Sequence, residues 1–126
     1  MSRTPAGERW VRVAAWFLAI SYGLAAPVTA FFEYRSHTLS ERFDLPPSLI
    51  YLTCAVQVVC AIGVLVRPFA HWAAAVLTVT TLGAIASHLR IGSPTTAVAA
   101  VVYTAIQVWV GLESRSRARG PSRAQD

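Results

Sequence analysis

The stretch 68-PFAHWAAAVLTVTTLGAIASHL-89 runs from Pro68 to Leu89 without one Asp, Glu, Lys or Arg, and Arg67 and Arg90 stand at its two ends. At about 1.5 Å of rise per residue, a helix of this length covers the ~30 Å hydrocarbon core of a bilayer. The pattern recurs outward in both directions. Residues 13–32, 45–66 and 91–112 are likewise free of charge. A chain of 126 residues is too small to bury four such helices inside a soluble core. Charged residues make up 13% of it, against roughly 25% in ordinary soluble domains. The patterning predicts an all-α integral membrane protein, an up-down four-helix bundle with helices at about 10–33, 46–66, 68–89 and 94–112. These form one domain, 1–113, and an Arg-rich cytoplasmic tail, 114–126, is expected to be disordered.

Arginine sets the expected orientation. Arg3, Arg9 and Arg12 precede the first span, Arg67 lies in the middle connection, and Arg115, Arg117, Arg119 and Arg123 follow the last. The other side holds Arg35, Arg42 and Arg90. The positive-inside rule then places both termini in the cytoplasm. The net charge of +5 is thus topogenic. The tail "SRSRARGPSRAQD" has no aromatic residue for stacking on bases, so its expected partner is anionic lipid and no nucleic acid. "PVTA", ending at Ala30, has the small residues of a leader-peptide cleavage site, but cleavage there would spoil the arginine asymmetry, and an uncleaved first helix is expected. The chain has neither Lys nor Asn, whose codons are AT-rich; this points to a GC-rich bacterial genome and hence to the inner (plasma) membrane.

Connections beyond the first are only a few residues long, which makes neighbouring helices antiparallel. The first, about Tyr34 to Leu45, is long enough to hold a short amphipathic segment. Pro46, Pro47, Pro68 and Pro94 punctuate helix starts, with Ser93 as a candidate cap. Pro27 cannot donate to the Gly23 carbonyl and predicts a bend in the first helix. Cys54 and Cys60 are six apart in one helix, point to different faces, and cannot pair with each other.

Lipid cannot hydrogen-bond polar side chains, so polar stripes in such helices turn inward. Helical spacing puts Tyr22, Thr29 and Glu33 on one face of the first helix and Thr53 and Gln57 on one face of the second. Thr80, Thr81, Ala84 and His88 share a face of the third; Thr96, Tyr103 and Gln107 share one of the fourth. Alternating direction brings Tyr22, Gln57, Thr80 and Tyr103 to the midplane. Glu33 and His88 fall together at the outer end, where a carboxylate and an imidazole form a candidate acid–base pair. The candidate ligand-binding residues are Tyr22, Thr29, Gln57, Thr80, Thr81, Tyr103 and Gln107. Of these, Gln57 also reads as interhelical glue, and more readily so than as a ligand contact. No metal site is expected.

The run "PFAHWAAAVLTVTTLGAIASHLRIG", preceded by "YLTCAVQVVCAIGVLVRP", is similar to the DoxX-like small membrane proteins. The Gly83-Ala84 pair and His88 match the family's ending of helix three. An acidic position in the family's second helix appears here as Gln57, and the Gly-x-x-Lys-like end of its first helix is replaced by "GLAAPVTAFFEY", ending with Glu33. The resemblance implies a four-helix membrane bundle and association with redox chemistry, since some relatives look like membrane subunits of thiosulfate:quinone oxidoreductases or partners of oxidative-stress enzymes.

Three functions follow as expectations. The first is a membrane subunit or accessory that holds a lipophilic small molecule, quinone-like in class, and works with an oxidoreductase partner or as a homo-oligomer. No flavin, haem or metal motif is evident in the chain itself. The second is a cofactor-free membrane isomerase, cyclase or epoxide hydrolase, with Glu33 as base or nucleophile and His88 as acid. The third is a small proton-coupled exporter.

Overall fold

A computed structural model describes residues 4–120. The described residues are all-helical apart from turns and caps. In chain order they form α1 (Pro5–Ser36), α2 (Thr38–Phe43), α3 (Pro47–Gly63), α4 (Ala70–Arg90) and α5 (Pro94–Ala118). Three of these, α1, α4 and α5, are long and apolar enough to cross a membrane. The fourth apolar helix, α3, has 17 residues and stops short of the expected end at 66. The chain then turns through Val64–Phe69, so α4 begins at Ala70, after Pro68 and not at it.

Two other boundaries also differ from the sequence reading. Helix α1 is about five residues longer at its start and runs unbroken across Pro27 to Ser36. Helix α5 continues through Ser114–Ala118, residues assigned to a disordered tail. Glu, Arg and Ala are good helix formers, and nothing at Leu112 or Glu113 stops propagation; Pro121 and the rest of the tail lie outside the described residues. Ser93 is the residue before α5, yet its hydroxyl meets the Thr96 hydroxyl at 3.2 Å and caps no backbone amide.

The longer helices pack around a ring: α1 against α3 and α5, α3 against α4, and α4 against α5. Small residues let the backbones approach closely. A Cβ on Gly63 would stand 2.9 Å from the Ala73 Cβ, and one on Gly111 would stand 3.3 Å from the Ala74 Cβ. Ala19, Cys60, Val64, Ala73, Ala74 and Leu77 form the buried cluster at these seams, with Tyr22 and Val56 against it. Such packing suits a lipid environment, where apolar side chains gain nothing by leaving the solvent for one another. The large apolar side chains Trp16, Leu24, Phe31, Val59, Trp72 and Val79 face outward instead. Both cysteines are unpaired and buried.

At one end of the ring Arg12 of α1, Arg67 of the α3–α4 connection and Arg117 of α5 line a common cavity of about 690 Å³. The α2 segment lies towards the other end, packed against α1 and α3.

Candidate functional site

The second, larger cavity occupies about 860 Å³ between the helices, within the ~300–1,000 Å³ range of small-molecule sites. Helix α1 contributes Ser21, Tyr22, Ala25 and Thr29 to its wall; α3 contributes Leu49, Ile50, Thr53, Cys54 and Gln57. The α4 wall runs from Thr80 to His88 and the α5 wall from Thr96 to Tyr103. Leu39, Phe43 and Leu45 bring α2 and its C-terminal flank onto the same space as a cover. The alternation of small, hydroxyl and aliphatic residues explains the shape. Alanines and Gly83 leave the volume open, while the polar stripes put a few oxygen atoms on otherwise apolar walls.

Beneath the wall sits a hydrogen-bonded cluster joining three helices. Gln107 is fully buried, and its Nε2 donates to the Tyr22 hydroxyl and to Thr81 Oγ1, the latter at 3.0 Å. The Tyr22 hydroxyl meets Thr81 Oγ1 at 2.9 Å, and Thr81 Oγ1 donates onward to the Leu77 carbonyl at 2.8 Å. Nearby, the Tyr103 hydroxyl donates to Ser21 Oγ at 3.3 Å, and its ring packs edge-on against Tyr22 with centroids 5.7 Å apart. Gln107 Oε1 and His88 Nδ1 are buried with no hydrogen-bond partner.

Seven of the nine sequence-derived candidates therefore line one cavity: Tyr22, Thr29, Gln57, Thr80, Thr81, His88 and Tyr103. Gln107 stands behind the wall, tied to two of them. The two glutamines, both candidate ligand contacts, differ in the structure, and the glue role that Gln57 also suggested belongs to Gln107. Gln107 is the interhelical glue, whereas Gln57 lines the cavity. The structure does not bring Glu33 and His88 together as a pair. Glu33 is fully buried outside the cavity, and its carboxylate accepts from the Leu39 amide at 2.8 Å and the Ser40 amide at 3.2 and 3.3 Å. These are the second and third amides of α2, the groups an N-cap side chain normally satisfies. His37, in the cap position, makes no side-chain cap bond, and its left-handed backbone (φ 51°) turns α2 back over α1.

The other end of α2 is held too. Arg90 Nη2 donates to the Phe43 carbonyl. A carboxylate at the N-terminus and a guanidinium at the C-terminus both complement the helix dipole. The Phe43 ring in turn meets the His88 ring edge-on at 5.2 Å between centroids. Glu33, Arg90 and His88 thus position the cover. The sequence reading missed Arg90 and Ser21. Ser21 adjoins Tyr22 and was within reach of the stripe argument, whereas the Arg90–Phe43 contact spans 47 residues and leaves no local signal.

Among the described residues, no group of three His, Cys, Asp or Glu side chains gathers to hold a metal ion. No curated protein and no solved structure matches the chain. A family model does, over residues 9–111, and this span takes in α4 whole, most of α1 and α5, and every residue that lines the larger cavity. The chain is a membrane protein that belongs to the DoxX-like family.

Proposed function

We propose that this protein holds a lipophilic small molecule, quinone-like in class, in the cavity between its helices, as a membrane subunit or accessory of a redox system. The observation that carries the reading is the cavity itself, about 860 Å³ with apolar walls, a polar base and the α2 cover. That is the form of a site for a molecule with one polar end and an apolar body. The residues present fit such a head group: Tyr22, Gln57, Thr80 and Tyr103 line the cavity, and His88 lines it beside the cover. The redox association is what the resemblance noted in the sequence implies, and it stands here as part of the proposal.

The same reading includes four membrane spans, with α3 as the shortest, and both termini in the cytoplasm of a bacterial inner membrane. Seventeen residues of α3 cover about 25 Å, at the short end of what a bilayer requires. The gathering of Arg12, Arg67 and Arg117 at one end supports a common side for the two termini and the middle connection. An acid–base enzyme built on Glu33 and His88 lacks support, because the carboxylate is engaged by the α2 amides.

Native mass spectrometry with lipid extraction, comparing wild type with His88→Ala, tests the reading. A small molecule retained by wild type and lost from the variant is expected. Retention of nothing beyond bulk lipid by either protein would contradict it.

A further inference from the structure

We infer that the smaller cavity, at the end of the ring away from α2, is a binding site for an anionic phosphate head group, and that the phosphate it takes belongs to a phospholipid. The site is separate from the larger cavity and independent of what that cavity holds. Among the described residues three arginines line it, each from a different element: Arg12 of α1, Arg67 of the α3–α4 connection and Arg117 of α5. They are far apart in the chain, and the fold brings them to one space of about 690 Å³. Helical spacing explains how. Glu8, Val11, Arg12, Ala15 and Trp16 form one face of α1, and Ser114, Arg117 and Ala118 form one face of α5. The extension of α5 to Ala118 makes Arg117 part of the wall, whereas its neighbours Arg115 and Arg119 do not line it.

Charge gives the ligand its sign. A guanidinium stays ionised and carries five N–H donors and no acceptor. Among the described residues none of these three is engaged in a hydrogen bond or an ion pair. Glu8 is the one carboxylate among the lining residues described, so positive charge is in excess. Like charges gathered on a concave surface repel one another and raise the local potential, and a bound anion relieves both. Guanidinium forks match phosphate oxygens in geometry as well as in charge. The rest of the wall gives the ligand its body. Val11, Trp16, Val64 and Leu65 continue from the arginines as apolar surface. Trp16 lies one helical turn from Arg12 towards the middle of α1 and is 53% exposed, as an aromatic side chain is where head groups meet hydrocarbon. A free phosphate gains nothing from that surface. A phospholipid lays its phosphate on the arginines and the start of its acyl chains along Trp16 and Leu65, and basic pockets between membrane helices take anionic head groups in this way.

Native mass spectrometry of the full chain in an uncharged detergent, titrated with phosphatidylglycerol, phosphatidylcholine or glycerol 1-phosphate, tests this. Phosphatidylglycerol is expected to bind at least about fivefold more tightly than phosphatidylcholine, whose choline cation meets the arginines. Arg12→Gln, Arg67→Gln and Arg117→Gln, made singly, should each weaken it about fivefold, the effect of one arginine close to an anionic head group. Arg12→Lys, Arg67→Lys and Arg117→Lys keep the charge and should recover most of the affinity, and Arg115→Gln and Arg119→Gln should leave it unchanged. Glycerol 1-phosphate in about tenfold excess should not displace the lipid. Equal loss from the wall and the Arg115 and Arg119 substitutions overturns the site in favour of diffuse attraction to a basic end. Equal affinity for the two lipids overturns the selection of an anion. Displacement by glycerol 1-phosphate keeps the anion site and overturns its assignment to lipid. Each of these outcomes leaves the reading of the larger cavity standing.

Discussion

Replacing Glu33 with Ala separates a structural carboxylate from a catalytic one. In the structure this side chain takes one short bond from the Leu39 amide and a longer, shared one from the Ser40 amide. A hydrogen bond to an ionised group is stronger than a neutral one, and each is good for about a factor of ten in an equilibrium. Loss of both leaves two α2 amides with no acceptor, because the cap residue His37 makes no side-chain bond to replace them. Opening of α2 should therefore become about a hundredfold more favourable in Glu33→Ala. Glu33→Gln keeps one acceptor oxygen and loses the charge, so about tenfold is expected there. Hydrogen exchange by mass spectrometry, on protein in detergent or nanodiscs, reads this at the Leu39–Phe43 amides. The acceleration should be confined to that segment, with α4 and α5 amides unchanged. Unaltered exchange at Leu39 and Ser40 in Glu33→Ala would refute the reasoning and free the carboxylate for another role.

Other substitutions test the packing and the cluster. Arg90→Ala should speed exchange towards the C-terminal end of α2 by up to about tenfold, through loss of the Phe43 carbonyl's guanidinium donor. Gly63→Ala places a methyl 2.9 Å from the Ala73 Cβ, on helices that can only move apart, and should cost about 1–3 kcal/mol in thermal unfolding. Gly83→Ala meets nothing within 4 Å and should leave stability equal or raise it by up to about 1 kcal/mol, the helix-propensity difference. Gln107→Leu removes two donated bonds but also the unpartnered Oε1, so its stability should stay within about 1 kcal/mol of wild type. Gln107→Ala, which leaves a void as well, should cost about 2–4 kcal/mol in the same melts.

Much of the architecture was legible because charge patterning and helical periodicity are strong signals in a chain that lives in lipid. The four charge-free windows located the helices, and the polar stripes brought Tyr22, Gln57, Thr80 and Tyr103 to one cavity. Ends were less legible. The α5 extension has no stop signal to read, and α3 ends early in a turn that apolar composition alone does not reveal. The error over Glu33 has a specific cause. Its position on the inward stripe was correct, and it is fully buried. Its partner, however, is set by a left-handed residue at His37, which folds six residues of connection back as α2. Periodicity says which face a side chain occupies and not which backbone amide reaches it. The same limit applies to the two glutamines: both were candidates on inward stripes, but which one meets a neighbouring helix depends on local spacing between helices. Gln107 meets Tyr22 and Thr81 where α1, α4 and α5 are close, and Gln57 lies where the helices part to form the cavity.

Photoaffinity labelling tests the occupied cavity most directly. A decylhydroquinone carrying a diazirine in its tail is irradiated with the protein in bilayers, and the adducts are mapped by peptide mass spectrometry. Adducts are expected on cavity-lining positions such as Cys54, Ser87 and Tyr103, and excess unlabelled decylhydroquinone should suppress them. Adducts confined to the outward-facing Leu52, Val79 and Val101, unaffected by competitor, would show that the molecule partitions into lipid alone and would contradict a binding site inside the helices.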